Sequence, residues 1–107
     1  MNTFSIATWN VNSLRVRLPQ LAEWLTAVQP DIVALQETKL PDADFPAAEI
    51  QALGYQVTYS GQRTYNGVAV LSRTPLTPIA TDIPGFVDEQ RRVLAVETQG
   101  CIVVDLY

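Results

Sequence analysis

The sequence contains no histidine and a single cysteine in 107 residues, and its 7 Lys+Arg are outnumbered by 11 Asp+Glu. Without an imidazole, Ser-His-Asp and Cys-His catalysis, His-ligated zinc and a histidine general base are all excluded from this polypeptide acting alone. Catalysis by it would need a carboxylate, a metal or a missing piece. Cys101 has no partner for an internal disulfide, and the start, Met1-Asn2-Thr3-Phe4, lacks the basic and apolar regions of a secretory signal. A reducing cytoplasm is the compartment these features fit. The net charge of −4 is not the overall electrostatic footprint of a nucleic-acid binder. The longest apolar stretches, such as Val68 to Leu71 and Cys101 to Val104, fall far short of the roughly 20 residues a spanning helix needs, so no membrane partner is expected.

What is present is a composition 48% hydrophobic and only 17% charged, which fits one packed globular domain. Phe4, Ile6 and Thr8 alternate with Ser5, Ala7 and Trp9, predicting a strand over residues 3 to 9 that stops at Asn10-Val11-Asn12-Ser13. Leu18, Leu21, Ala22, Leu25 and Val28 recur at helical spacing, predicting a helix over 18 to 29 with Pro19 in its first turn and Pro30 as its stop. Residues 31 to 36 carry Ile32-Val33-Ala34-Leu35, apolar on both sides as in a strand buried on both faces. A loop over 41 to 44, a short helix from Pro46 to Leu53 closed by Gly54, and a strand around Tyr55, Val57 and Tyr59 follow.

Gly61 to Asn66 reads as a polar turn and Val68 to Ser72 as a strand. Leu76 to Ala80, interrupted by Pro78, suits a sheet edge. After a loop from Ile83 to Glu89, Val93 to Thr98 and Cys101 to Leu106 form a hairpin around Gln99-Gly100. Two early helices followed by an unbroken meander make an α+β pattern rather than a doubly wound sheet. The last apolar run ends at Tyr107 with no polar tail, as a chain cut inside a domain would.

Glu37 follows a strand expected to be central, where open sheets present ligand-binding groups. It suits Mg²⁺, which takes one or two protein carboxylates, several waters and phosphate oxygens. The alternative is a solvated strand end. Asn10 and Asn12 would share a face if the first strand continued, and would converge on Glu37 from a neighbouring strand; the alternative is plain turn formation. With Lys39 they outline a metal and phosphate site. Arg91 and Arg92, with Arg63, Tyr65 and Asn66 in the turn, offer phosphate and sugar contacts at a strand rim, against the alternative of solvated surface. Trp9 and Trp24 are most simply core.

At these residues the chain closely resembles the exonuclease III family of exodeoxyribonucleases and apurinic/apyrimidinic endonucleases, within the endonuclease/exonuclease/phosphatase superfamily. The matching blocks are Ala7-Thr8-Trp9-Asn10-Val11-Asn12-Ser13-Leu14-Arg15, Pro30-Asp31-Ile32-Val33-Ala34-Leu35-Gln36-Glu37-Thr38-Lys39, Leu53-Gly54-Tyr55, Tyr65-Asn66-Gly67-Val68-Ala69-Val70-Leu71-Ser72 and Gln90-Arg91-Arg92-Val93. The first two, in this order and spacing, carry the most specificity. The resemblance implies about half of a four-layer α/β sandwich of the DNase I-like type, a β-sheet with two flanking helices, in a longer protein truncated here after Tyr107.

By position, Glu37 looks like the family's metal-binding glutamate and Asn10 like the asparagine that arranges metal and scissile phosphate. Asn12 falls where some relatives have an aspartate, which argues against a direct ligand role. Lys39 looks like a supporting lysine, and Tyr107 falls where the family places its active-site tyrosine. The activity implied for the whole enzyme is Mg²⁺- or Mn²⁺-dependent hydrolysis of double-stranded DNA at abasic sites and 3′ ends. The absent half would bring an Asp and Asn at the attacking water and a later Asp-His pair, so the fragment is expected to be inactive alone. Two other readings stand beside this one: a superfamily cousin acting on an inositol phosphate or sphingolipid head group, and a non-catalytic domain that self-associates or binds a partner through Val68-Ala69-Val70-Leu71 and Ile102-Val103-Val104.

Overall fold

A computed structural model describes residues 3–86 and 88–107 of the chain. Strands β1 (Ile6–Asn10), β2 (Ile32–Gln36), β3 (Gln56–Ser60) and β4 (Val68–Ser72) form one mixed sheet in the order β1-β2-β4-β3. The β1–β2 pair is parallel and the others antiparallel. Strands β5 (Thr77–Ala80), β6 (Val93–Thr98) and β7 (Cys101–Leu106) form a second, antiparallel sheet in the order β5-β6-β7. The expected meander therefore divides after β4, and the later strands turn back to face the first sheet.

Period-two alternation distributes the core over two layers. Val33 and Leu35 of β2 and Ala69 and Leu71 of β4 face Leu14, Leu21, Leu25 and Ile50 of helices α1 (Leu14–Val28) and α2 (Ala47–Ala52). Their neighbours Ile32, Val68 and Val70 face Leu94 and Val96 of β6. Both central strands are thus buried on both faces, as the unbroken apolar run of β2 predicts. The contact surface expected from Val68 to Leu71 does not exist, because these four residues are fully buried. Ile102 and Val104 do face outward, while Val103 packs inward.

Helix α1 begins one turn before its expected start, and Pro19 lies inside it. The cause is tertiary: the Ser13 and Leu14 N–H groups donate to the carbonyls of Glu37 (2.8 Å) and Thr38 (3.0 Å), which serve in place of a side-chain cap. Leu14 then joins Leu21 and Leu25 in the buried stripe, whereas Val28 is exposed. Gln29, in the left-handed region, ends the helix just before Pro30.

The first strand starts at Ile6 rather than Thr3, and a 3₁₀ turn at Asp42–Asp44 occupies the expected loop. Trp9 and Trp24 are half-buried and meet edge to face at 6.4 Å, so they border the core rather than fill it. The hairpin at Gln99-Gly100 has φ of 56° and 75°, the two left-handed residues its turn type requires. Val87, in the loop expected over residues 83 to 89, lies outside the described residues.

Candidate active site

Four chain segments meet at one end of the sandwich. Asn10, the last residue of β1, sits in register with Gln36 at the end of β2, so Glu37 emerges beside it. The Glu37-Thr38-Lys39 segment is fastened on both sides. Ser13 and Leu14 bond its carbonyls, while the Thr38 and Lys39 N–H groups donate to Gly67 O (3.2 Å) and Asn66 O (2.9 Å). Gly67 in turn donates to Arg91 O at 2.8 Å.

Glycine is required at position 67: its φ is +95°, and a Cβ there would lie 2.1 Å from Thr38 Oγ1. Asn12, Ser13, Glu37, Lys39, Thr64 and Asn66 also have positive φ. Each costs of order 1 kcal/mol, and such strain clusters where a structure holds functional groups in fixed places.

The side chains converge on Glu37. The Tyr107 hydroxyl donates to Glu37 Oε1, and Lys39 Nζ lies 3.6 Å from Glu37 Oε2. Lys39 Nζ also donates to Asn12 Oδ1 at 2.6 Å. The Asn12 N–H donates to Asn10 Oδ1 at 3.1 Å, closing a local turn. The expected sharing of one strand face by Asn10 and Asn12 fails because β1 stops at Asn10 and Asn12 turns left-handed. Asn12 reaches the cluster through Lys39 instead.

The Tyr107 hydrogen bond, with the Asn10 amide and the Lys39 charge, holds the Glu37 carboxyl below the usual carboxylate range against the opposing effect of desolvation. The same hydrogen bond pushes the Tyr107 phenol up, partly offset by Arg92, whose guanidinium lies 5.4 Å from the ring centroid. Arg92 Nε also donates to Tyr107 O at 2.7 Å, and the Tyr107 N–H returns a bond to Arg92 O at 2.9 Å.

The other rim residues divide into two groups. Asn66 donates to the side-chain carbonyls of Gln62 and Gln90, and Arg91 donates from its guanidinium to Ser60 Oγ (3.1 Å) and from its peptide to Gln62 Oε1 (2.7 Å). These two build the rim. Arg63 and Tyr65 are exposed, and among the described residues neither side chain makes a hydrogen bond. Arg63 and Lys39 also line a polar cleft with Ser13, Arg15, Asp44 and Thr64. Arg15, Lys39, Arg63, Arg91 and Arg92 thus lie at the site's end of an acidic molecule, whereas Arg73 lies at the opposite end, against Gln29.

Glu37 and Asn10 supply hard oxygen donors, and Asn10 Oδ1 keeps a second lone pair beyond the one facing Asn12. Among the described residues no group of three or more His, Cys, Asp and Glu could enclose a metal. Glu37 and Asn10 are a donor set of the kind a hard divalent cation accepts when it takes most of its ligands from water and phosphate.

Sequence reasoning missed Gln36 and Asp105. Asp105 is 2% exposed on the inner face of β7 and accepts a 2.7 Å hydrogen bond from Gln36 Nε2. Burial pushes its carboxyl up to about 7, although Gln36 and the Ala69 peptide act against the shift. The available signal was a lone acidic residue in the inward phase of an apolar strand, where an aliphatic side chain belongs.

The model of the endonuclease/exonuclease/phosphatase family matches residues 7–106. The chain belongs to this family. Exodeoxyribonuclease III of Haemophilus influenzae is 34% identical over 93 residues, covering 86% of this chain and 35% of that protein. The exodeoxyribonuclease of Bacillus subtilis is 32% identical over 107 residues, covering 95% and 41%.

Among solved structures, a 3′ phosphatase from Neisseria bound to a product DNA hairpin superposes with a TM-score of 0.95 at 46% identity, covering 98% of this chain and 41% of that one. An AP endonuclease from Archaeoglobus fulgidus gives 0.93 at 34% identity, with 98% and 41% covered. The two sheets and their few helices are thus a fragment of the DNase I-like fold. The chain spans well under half the length of these relatives.

Proposed function

We propose that this chain is the amino-terminal portion of a divalent-metal-dependent DNA repair nuclease that hydrolyses phosphodiesters at abasic sites and at 3′ ends of duplex DNA. The observation that carries this reading is the convergence of Glu37, Asn10, Lys39 and Tyr107 at one end of the sandwich. Glu37 and Asn10 would hold Mg²⁺ or Mn²⁺. When bound, that ion would neutralise charge on a phosphoryl oxygen and on the leaving 3′ oxygen.

The chain's own groups prepare for that charge. The Glu37 carboxyl is kept ionised by the phenol and the ammonium around it, and so is ready as an oxygen donor at neutral pH. Tyr107, held by Arg92, orients Glu37 by donating its hydroxyl to the carboxylate, while Lys39 fixes Asn12 and adds positive charge. Arg63 and Tyr65 reach outward to phosphate and sugar, and Asn66, Arg91 and Arg92 shape the rim behind them. The group that activates water is supplied by the remainder of the protein, so the 107-residue chain is inactive alone.

The test is cleavage of duplex DNA containing an abasic site by the full-length protein in Mg²⁺. Glu37→Ala should reduce the rate by a factor on the order of 100 or more, the scale of losing one preorganised electrostatic contact. Full activity of that variant, or release of phosphate from an inositol phosphate with abasic DNA untouched, would overturn the assignment.

A further inference from the structure

Beneath the cluster lies a second layer of polar side chains drawn from the same three strands. Asn10, Glu37 and Tyr107 come from the ends of β1, β2 and β7; Thr8, Gln36 and Asp105 lie two, one and two residues before them. Gln36 Nε2 joins the lower three, donating to Asp105 Oδ1 at 2.7 Å and to Thr8 Oγ1 at 2.9 Å, with a longer contact to Ala34 O at 3.3 Å. Asp105 Oδ2 is buried with no hydrogen-bond partner.

A buried carboxylate lacking one partner is a poor way to stabilise a sandwich whose adjoining layer is Ile32, Val68, Val70, Leu94 and Val96. Its use must be geometric. The Gln36–Asp105 bond crosses from one sheet to the other immediately under the Glu37–Tyr107 bond.

We propose that Gln36 and Asp105 are positioning residues, a cross-sheet clamp that sets the distance and angle at which Tyr107 meets Glu37. The clamp rests on the reading of Glu37 as the metal-binding carboxylate for its effect on metal affinity, but not for its effect on Tyr107. A second polar link between the sheets, Ser72 Oγ to Thr98 Oγ1 at 2.8 Å, involves the far ends of β4 and β6 and provides an internal control.

The experiment is carried out on the full-length protein. Mn²⁺ affinity is measured by calorimetry, and the environment of Tyr107 by the ¹³Cζ resonance of labelled tyrosine without metal. The Q36L/D105L double variant, which replaces the pair by apolar groups of similar size, should stay folded, weaken Mn²⁺ binding about tenfold and shift the Tyr107 resonance toward its position in Glu37→Gln.

Asp105→Asn, which keeps an oxygen to accept from Gln36, should restore both readouts to within about twofold of the parent, against that tenfold loss. Thr98→Val should lower the melting temperature while leaving both readouts in place. If the double leucine variant does not fold, Gln36→Met, which keeps the chain length but loses the donor, takes its place with the same expectation.

A folded Q36L/D105L or Gln36→Met protein with parental Mn²⁺ affinity and an unmoved Tyr107 resonance would refute the clamp. Were Glu37→Gln to leave Mn²⁺ binding intact, the metal assignment would fall, while the Tyr107 resonance would still judge the clamp.

Discussion

The Tyr107 hydroxyl reaches Glu37 because β7 ends beside the end of β2, on the facing sheet. Since that hydroxyl is the largest influence holding the Glu37 carboxyl low, Tyr107→Phe should raise the Glu37 pKa toward the ordinary value of 4.5. A ¹³C carboxyl titration reads this directly, and an unchanged or lower value would contradict the geometry. Glu37 and Lys39 were legible as a carboxylate and a cation after a buried strand. Asn10 and Asn12 were expected beside them, and the resemblance placed Tyr107 there; what residue pattern alone does not encode is how Asn12 and Tyr107 arrive, by a left-handed turn and a cross-sheet approach.

Among the elements, β2, β4 and the β6–β7 hairpin were readable at nearly their true boundaries, since burial on both faces and a two-residue glycine turn leave strong local patterns. Helix α1 was misread at its start because its first amides are satisfied by a loop twenty-odd residues away, a contact with no local signature.

The β7 strand carries a pH dependence. The Asp105 carboxyl stands at about 7 in the folded chain against an ordinary 3.8, so the native state holds a proton that the unfolded state releases between those values. The fold is therefore most stable, as far as this group is concerned, below about pH 4, loses stability as pH rises, and above about pH 7 carries the full cost of an ionised buried carboxylate. The span corresponds to about 4 kcal/mol at most, from the 1.36 kcal/mol carried by each pKa unit. Urea unfolding at pH 5 and pH 8 should show the difference, and Asp105→Asn should flatten it; an equal slope in both proteins would exclude Asp105 as the source.

At the level of the whole molecule, the central strands of the first sheet are covered on both faces, while β1 and β7 each leave one face open. Ile102, Val104 and Leu106 on the outer side of β7 are 65%, 54% and 60% exposed, and Ile6 on β1 is 54% exposed. The three β7 residues alternate along one face of the strand and make an apolar row of the kind that favours contact over solvation. The isolated 107-residue chain is expected to self-associate, eluting ahead of a monomer standard and binding a hydrophobic dye. A clean monomer with a sharp unfolding transition and no dye binding would show that these strands tolerate water. The α+β layering was foreseeable from the order of elements; the division into two facing sheets was not, because nothing in a run of strands says where the chain folds back.

The near contact between Gly67 and Thr38 has a consequence for descent. The backbone at 67 lies so close to the Thr38 hydroxyl that no side chain fits between them. A lineage could enlarge position 67 only after position 38 had been trimmed, and only with a residue content in left-handed backbone. The order of the two changes is therefore fixed: a side chain gained first at 67 should be met as a lesion, whereas a smaller residue at 38 removes a hydroxyl that has no hydrogen-bond partner.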